Sequence, residues 1–418
     1  MDAFQAHQMT AYYVRTDGND ANTGLSNTAG GAFLTIKKGI SVIIASDILN
    51  VNAGTYKEGV ASNLDTMNSG NSFSDAPIIQ ALGAVTWKSP TNGEALVVWN
   101  RSYIIINDFI FDGIDDTTSD AGRMLAAANN GSHHIRWNRD TFQNAGGNNG
   151  GMGKGGSTGV PHHNEWLNCI FKNNRRLSAT SQIHGFYTTF GDDSVWTNCQ
   201  FFGNQGYGIQ FFDSANSANR NIISKSIFHN NAQEGLTSAA FIIGSGVGNA
   251  VYNSLIYDEP ALGGQIGAFA PDDTRIYNCT FVECGRTSTD NVIQVSSGTN
   301  AKIKNCIMYS NFNNAVQDLG TGTVQTTNSN DGTNPNFVNF AGRDLHLTAA
   351  TPAGIKTGGA TLTEFSDDFD GLSRPQGSAW GIGAYEFPVA TSAAVKHRRG
   401  HAFHTPKTPY RRTYVFMS

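Results

Sequence analysis

A short pattern of polar and apolar positions recurs six times between residues 168 and 311. Each copy contains a small residue, one spacer and a large apolar residue, and the small residue is Cys in four copies and Ser in two. Counted from the small residue, successive copies lie 30, 27, 28, 25 and 27 residues apart. The copies are residues 168–171, 198–201, 225–228, 253–256, 278–281 and 305–308.

This repeat predicts a parallel β-helix. The alternation within each copy is that of a β-strand and not of a helix turn. A near-constant period is typical of a solenoid, in which each coil packs on its neighbours. The interval is too short for a four-stranded propeller blade, and no helical pattern separates the copies. Each copy therefore predicts one coil, built from two or three short strands joined by turns.

A helical cap is predicted before the first coil. Ile36, Ile40 and Ile43 fall at helical spacing, and Thr35 or Thr28 could cap the first turn. An uncovered β-helix end exposes unpaired strand edges, so a helix at this place would prevent edge pairing.

The five cysteines are predicted to remain free thiols. Four of them share one position of the repeat, so they should point into the core from successive coils. Buried free cysteine behaves as a small hydrophobe, and stacked parallel side chains have poor geometry for a disulfide. Cys284 is expected at a turn. Because the sequence has no CxxC pair, we expect no zinc site. The four core cysteines are Cys169, Cys199, Cys279 and Cys306.

The register is less regular before residue 168. Asp140 lies 29 residues before Cys169, and Asp108 lies 32 residues before Asp140, so both would occupy the small-residue position. A carboxylate is costly in a core. Either the register shifts there by one residue, or the aspartates are hydrogen-bonded at a turn, and we favour the shift.

Two further features have structural interpretations. Asparagines follow many copies and are expected to stack at one corner, where they satisfy turn amides. A glycine-rich insertion at residues 145–165 is interpreted as a mobile loop over one side face. The corner asparagines are Asn144, Asn173, Asn204, Asn230 and Asn311.

Composition agrees with this fold. The chain has 418 residues, of which 47 are Gly and 25 are Phe, and only 15% are charged. Abundant glycine suits frequent turns, and low charge leaves much apolar surface to bury. The net charge of -5 is too small to dictate a partner.

The chain resembles pectate-lyase-like right-handed β-helix proteins. The resemblance begins at residues 12–20 and continues through 22–24, 33–36 and 53–58. Residues 17–40 are especially similar to the opening of bacteriophage tail and other virion β-helix proteins. Residues 343–347 and 370–387 resemble the closing module of many such proteins. The resemblance therefore implies an all-β fold, a single-stranded right-handed parallel β-helix solenoid with an N-terminal helical cap and a C-terminal closing module.

The same resemblance raises the question of catalysis, since β-helix enzymes of this kind act on polysaccharides in a side groove. His163 precedes Cys169 by six residues and Asp193 precedes Cys199 by six, so these side chains should be neighbours on adjacent coils. With Asp192, and with Arg175 across the turn, they could serve acid–base chemistry. Ca²⁺ is expected only if the chain is a lyase, and otherwise no cofactor or metal is expected.

The competing interpretation of this cluster is a plain turn. Asp-Asp pairs also occur at residues 115–116, 272–273 and 367–368, and Asp273 likewise precedes Cys279 by six. Aspartate is common in turns for backbone reasons.

Aromatic residues crowd positions 186–212. Most should fill the core, but one or two of Tyr187, Trp196 and Tyr207 could face outward as platforms that stack on sugars.

The last thirty residues differ in composition. They contain no acidic residue, and prolines break any helix. We predict an extended arm that anchors the protein to an acidic partner or a neighbouring subunit, with a disordered tail as the alternative. Nucleic acid binding is not favoured, because aromatic residues are not interleaved with the basic ones. The anchoring residues are Lys396, Arg398, Arg399, Lys407, Arg411 and Arg412.

Four segments follow from these observations. Residues 1–46 form an N-terminal arm and helical cap, 47–340 the parallel β-helix, 341–388 the closing module and 389–418 the basic extended tail. The first residues contain no apolar run flanked by basic residues, so we expect no signal peptide, and no stretch is apolar enough to span a membrane.

The predicted function is that of a phage virion structural protein of the capsid decoration, fibre or tail-spike type. Its shaft would project and could bind cell-surface carbohydrate, its basic arm would contact other virion subunits, and assembly would occur in the host cytoplasm. A homotrimer is one possible oligomeric state, although no heptad pattern in the sequence indicates it. The alternative is a polysaccharide lyase or glycoside hydrolase acting in a side groove.

Overall fold

A computed structural model of the chain describes residues 8–61, 67–90, 93–113, 124–146, 150–156, 159–175, 183–215, 217–233, 238–285 and 290–388. The basic tail and its six cations, Lys396, Arg398, Arg399, Lys407, Arg411 and Arg412, lie outside these residues. Within them, no helix is long and apolar enough to cross a membrane.

The described residues form short strands and two short helices, α1 (Ile36–Val42) and α2 (Ala353–Thr357). The first ten strands are β1 (Ala11–Val14), β2 (Ile48–Lys57), β3 (Val60–Ala61), β4 (Ile78–Lys88), β5 (Leu96–Trp99), β6 (Ser102–Asp112), β7 (Ala126–Asn129), β8 (His133–Asn138), β9 (Thr141–Gln143) and β10 (Met152–Gly155). The next ten are β11 (Glu165–Leu167), β12 (Ile170–Lys172), β13 (Phe186–Thr188), β14 (Val195–Thr197), β15 (Gln200–Phe202), β16 (Ile209–Phe211), β17 (Ile222–Ser224), β18 (Ile227–His229), β19 (Phe241–Ile243) and β20 (Ala250–Tyr252). The last nine are β21 (Leu255–Tyr257), β22 (Gly264–Ile266), β23 (Arg275–Tyr277), β24 (Thr280–Val282), β25 (Ile293–Val295), β26 (Lys302–Lys304), β27 (Ile307–Tyr309), β28 (Val316–Asp318) and β29 (Val324–Thr326).

The strands stack into two parallel sheets, which confirms the predicted all-β parallel β-helix. The smaller sheet contains ten strands, from β3 through β5, β7, β10, β13, β16, β19, β22 and β25 to β28. The larger sheet contains two adjacent columns, because each coil contributes a pair of strands such as β11 and β12. Equivalent residues of successive coils pair in register, as Trp166 does with Trp196 and Phe171 with Phe201. A side chain therefore meets its counterpart from the next coil directly above or below it.

This register fills the interior with stacked rings. In five successive coils this large apolar position is a phenylalanine, and neighbouring ring centroids lie 4.6 to 5.1 Å apart. The rings are fully buried, so they combine apolar burial with favourable ring–ring contact. The stack consists of Phe111, Phe142, Phe171, Phe201 and Phe228.

The small-residue position forms the predicted internal column. Cys169, Cys199, Cys279 and Cys306 are all buried free thiols. Cys199 N–H donates to Ser226 Oγ over 3.1 Å, so serines and cysteines share one column. Burial raises the pKa of the Cys169 and Cys279 thiols. Cys284, expected at a turn, is buried just after β24.

The favoured register shift is correct for one aspartate and wrong for the other. Phe109, and not Asp108, occupies the core position of β6, so the shift holds there. Asp140, in contrast, precedes Thr141, which pairs with Ile170, so Asp140 stands beside Cys169 in the buried column. Its Oδ1 accepts the Phe109 N–H over 2.8 Å, and burial raises the pKa of its carboxyl.

The predicted asparagine corner is present, but the predicted residues belong to two different columns. Asn144, Asn173 and Asn230 adopt left-handed φ values of 59°, 54° and 53°. The buried ladder is formed instead by the residue that follows, as with Asn174 and Asn231, and Asn204 joins it. Asn311 makes the equivalent bond to the Cys284 N–H over 2.9 Å. Bonds of 2.9 and 2.8 Å link Asn174 to Asn204 and Asn204 to Asn231.

Helix α1 begins where predicted. The Thr35 side chain accepts the Lys38 N–H over 3.1 Å, and Glu58 accepts the N–H groups of Ile36 and Lys37, each over 2.9 Å. These bonds satisfy amides that a helix start leaves unpaired. Buried Ile36 and Ile40 join the main core.

The C-terminal segment covers a side face of the rod. Leu345, Phe369 and Tyr385 pack on outward residues of the larger sheet, among them Leu255 and Tyr257. Arg374 is buried against Glu386 at 2.8 Å and also donates to Asn253 over 3.0 Å. At the end of the coils, β29 is solvent-exposed along all three residues. The segment therefore packs beside the last coils.

Candidate functional site

The predicted cluster lies along an edge of the rod, where each coil enters its first strand of the larger sheet. Two residues at this place stack in register from coil to coil. The first forms isolated parallel bridges, as His133 does with His162 and His162 with Asp192. The second adopts a left-handed backbone conformation, with φ of 54° at His134, 51° at His163 and 51° at Asp193. His163 and Asp193 therefore lie on adjacent coils, as the sequence spacing indicates.

Asp192 and Asp193 are held by an arginine that sequence reasoning missed. Arg220 Nε and Nη2 each lie 2.7 Å from one carboxylate oxygen of Asp193. Nη2 also lies 3.1 Å from Asp192 Oδ2. The Arg220 hydrogen bond lowers the pKa of Asp193. Asn219 donates to Asp192 from its backbone and side-chain amides. These carboxylates are therefore paired acceptors, and Asp193 is a weak base.

The sequence did contain the signal for Arg220. It precedes Ser226 by six residues, the same offset that relates His163 to Cys169 and Asp193 to Cys199. Counting from the serine copies of the repeat as well as the cysteine copies would have placed it on this edge.

Arg175 does not join this cluster, so its predicted position across the turn is wrong. It follows β12, whereas His163 precedes β11, so the strand pair separates the two. The backbone N–H of Arg175 bonds Ala145 O over 2.9 Å at the opposite corner.

Acid–base pairs of the same kind recur elsewhere on the rod. Asp273, at the equivalent turn, pairs with Arg275 and Lys302. Asp108 accepts two bonds of 2.6 Å from Arg139 on the next coil. Such recurrence favours coil-to-coil bracing as the role of these pairs.

Four imidazoles form a compact group on the same edge, which we call the histidine edge: His133, His134, His162 and His163. Within each adjacent pair the two Nδ1 atoms lie 2.8 Å apart. Across coils, the His133 and His162 rings stack at 4.8 Å, and the His134 and His163 rings at 5.1 Å. Burial lowers the pKa of His133, His134 and His162, and neighbouring histidines lower each further.

A buried lysine stands inside the coil behind this edge. Lys154 lies on β10, so the interpretation of residues 145–165 as a loop is wrong at residues 152–155. Its Nζ donates to Asn221 Oδ1 over 2.8 Å and lies 5.3 Å from the Trp196 ring centroid. The side chain is almost fully buried. Burial lowers its pKa to about 7, although Asp192 and Asp193 favour its charge.

The three aromatic candidates occupy different environments. Trp196 is fully buried and stacks on Trp166 at 4.8 Å inside the rod, so its predicted role as an outward platform is wrong. Side chains alternate along β14, and Trp196, its middle residue, points inward while its two neighbours point outward. Tyr207 is only 5% exposed, and its hydroxyl donates to Gln265 Oε1 over 2.9 Å. Tyr187 is half-buried on the outer face of β13.

Tyr187 belongs to a column of mostly polar residues along the smaller sheet. The middle residues of β13, β16, β19, β22, β25 and β28 pair in register, and all of them are polar except Ile242 of β19, which is buried. From β22 onward three consecutive coils place glutamine in this column, and Gln294 Nε2 bonds Gln317 Oε1 over 2.8 Å. We call the polar members of this column the amide stripe: Tyr187, Gln210, Gln265, Gln294 and Gln317.

The comparisons with known proteins establish the fold. No protein-family model and no curated protein match the chain. The pectate lyase Pel9A aligns with a TM-score of 0.61 and 16% identity, over 91% of this chain and 97% of that chain. A rhamnogalacturonan lyase aligns with a TM-score of 0.54 and 17% identity, over 79% of this chain and 91% of that chain.

A phage protein also aligns, more weakly. A capsular polysaccharide depolymerase tailspike from the Acinetobacter baumannii bacteriophage Fri1 gives a TM-score of 0.49 and 10% identity, over 78% of this chain and 58% of that chain. The chain thus has the pectate-lyase-like parallel β-helix fold, and fold alone does not define an activity.

Proposed function

We propose that this chain is a phage virion component whose β-helix shaft binds polysaccharide along the amide stripe. The observation that carries the proposal is the stripe itself, in which the amide side chains of Gln265, Gln294 and Gln317 repeat on consecutive coils at a spacing of about 4.8 Å. A polysaccharide presents hydroxyl groups at regular intervals, and each carboxamide offers both donors and an acceptor.

Exposure supports this face over the others. Tyr187, Gln265, Gln294 and Gln317 are each partly exposed. The half-buried Tyr187 ring can add contact with the apolar face of a sugar. The outer face of the larger sheet beside the last coils, in contrast, is covered by the C-terminal segment.

The virion assignment rests on the sequence resemblance of residues 17–40 to phage tail proteins. The acid-free basic tail gives the chain a means of attachment to an acidic neighbouring subunit. The fold is also that of the solved pectate and rhamnogalacturonan lyases, whose names place them on polysaccharides.

Binding of capsular polysaccharides to the immobilised full chain tests the stripe. We expect the triple substitution Tyr187→Ala, Gln265→Ala and Gln294→Ala to weaken binding at least tenfold. The matched control removes three polar side chains from the larger sheet, Gln80, Asn138 and Gln143, and should retain binding. Equal affinities for the two triple variants would contradict the proposed face.

The anchor has a separate test. Replacing the six tail cations by glutamine keeps the length of the arm and removes its charge. We expect incorporation into particles to be lost, with the folded shaft unaffected in circular dichroism. Normal incorporation would refute the anchoring role.

The second candidate is a polysaccharide lyase or glycoside hydrolase that works at His163, Asp192 and Asp193. The extent of the alignment with pectate lyase Pel9A favours it, while the Arg220 pairing of both carboxylates counts against it. New unsaturated or reducing ends after incubation with polysaccharide, lost in His163→Ala or Asp193→Asn, would make it the leading function.

A further inference from the structure

The histidine edge has the geometry of a chelating surface for a transition-metal ion. In each adjacent pair the two Nδ1 atoms lie 2.8 Å apart. Without a ligand, a single proton shared by the two nitrogens satisfies this contact, because two N–H groups cannot face each other at that distance. The same arrangement is built twice, on consecutive coils.

We propose that the pairs His133–His134 and His162–His163 each chelate a divalent transition-metal ion of Cu²⁺ type through their Nδ1 atoms. Imidazole is a preferred ligand for such ions. The ion would take the place of the shared proton, which would move to Nε2 of the same ring, and water would fill the ion's remaining positions. Within the described part of the chain, no three His, Cys, Asp or Glu side chains surround a common point, so each pair supplies two protein ligands.

The nitrogen separation selects among metals. With metal–nitrogen bonds of about 2.0 Å, two ligands at a right angle lie about 2.8 Å apart, whereas tetrahedral ligands lie about 3.3 Å apart. The observed 2.8 Å therefore fits the square or tetragonal preference of Cu²⁺ and Ni²⁺ better than the tetrahedral preference of Zn²⁺.

The surroundings leave the site accessible to solvent. His163 is exposed and the other three rings are partly exposed, so solvent reaches the edge. The carboxylates of Asp192 and Asp193 follow on the next coil and offset the charge of the ion. Tyr103 stacks on His134 at 4.6 Å and restrains its ring.

The two pairs should not fill independently. Their rings stack at 4.8 and 5.1 Å, so two bound ions would lie about one coil apart. Coulomb repulsion between two divalent ions at that distance, even in water, weakens the second ion by roughly several hundredfold. We therefore expect the protein to bind one equivalent of the metal ion tightly and a second equivalent weakly.

Calorimetric titration of the full chain with CuSO₄, NiCl₂ or ZnSO₄ at pH 7.5 tests the proposal. We expect Cu²⁺ to bind at least tenfold more tightly than Zn²⁺. His162→Gln with His163→Gln should keep the tight equivalent and lose the weak one. The quadruple variant, with all four residues changed to Gln, should lose both.

The matched control is His397→Gln with His401→Gln, which removes two histidines from the tail and should leave both equivalents. Copper EPR should show coupling to imidazole nitrogen in the wild type and lose it in the quadruple variant. Unchanged Cu²⁺ affinity and stoichiometry in a folded quadruple variant would overturn the proposal, as would equal loss in the tail control.

Discussion

Replacing Lys154 by methionine should stabilise the protein at neutral and acidic pH. Methionine keeps an unbranched apolar side chain of similar length and removes the amine from the core. Asn221 Oδ1 would retain a partner, since it also accepts the Ser194 N–H over 3.2 Å. The substitution therefore removes a buried charge without leaving an unpaired acceptor.

The magnitude follows from the lowered pKa. A shift from 10.5 to about 7 disfavours the charged lysine in the folded state, and at about 1.36 kcal/mol per pKa unit the cost is about 5 kcal/mol. Loss of the Asn221 hydrogen bond and of the contact with Trp196 returns about 1 kcal/mol each. We expect a net gain of about 3 kcal/mol at pH 6.

The pH dependence has a definite sign. Because the folded pKa lies below the unfolded one, the cost is fully present below pH 7, decreases between pH 7 and 10.5, and vanishes above. Wild-type stability should therefore rise with pH through this window, and that part of the rise should be absent in Lys154→Met.

Urea unfolding midpoints at pH 6 and pH 9.5 measure both effects. Lys172→Met, on the outer face of β12, is the control and should change neither midpoint by much. If Lys154→Met were no more stable than the wild type at pH 6 and kept its full pH dependence, the amine would not be buried as described.

Three further predictions use the same measurements. Asn204→Ala should lower the free energy of unfolding by about 2–4 kcal/mol, because it removes the partner of the buried Asn174 N–H and Phe171 carbonyl. The control Asn198→Ala, on the outer edge, should lower it by under about 1 kcal/mol. Similar losses for both variants would refute the internal ladder. Asp193→Asn should lower the unfolding free energy by no more than about 1 kcal/mol, since its partner Arg220 is 57% exposed; a loss above about 3 kcal/mol would mean that the pair is more deeply buried. Ellman's reagent should detect no rapidly reacting thiol in the native protein and all five after denaturation; a fast native thiol would contradict the buried column.

The repeat was predictable because it is a regular spacing of residues along the chain. A strand alternates its side chains, and a constant interval between small residues stacks equivalent positions of successive coils. The parallel β-helix and the buried cysteine column follow from these two facts. The adjacency of His163 and Asp193 follows as well, because a shared offset from the small residue places both on one edge.

The errors occurred where coil length or turn geometry varies. Trp196 points inward and Lys154 lies on a strand because the register of each short strand is fixed by pairing with its neighbours. Asp140 enters the core because a backbone amide, at 31 residues' distance in the chain, supplies its hydrogen bond. The hydrogen-bond partner of such a residue cannot be identified from the pattern of residues next to it in the sequence.

The sequence by itself therefore determined the coil, its repeat and which residues share a column. Only the tertiary structure decided which way a column faces and what it contacts. It brought Arg220 and not Arg175 to the carboxylates, and it paired the four histidines. The physical reason is that these contacts join residues about one coil apart, and whether their side chains meet depends on backbone torsions in the turns between strands.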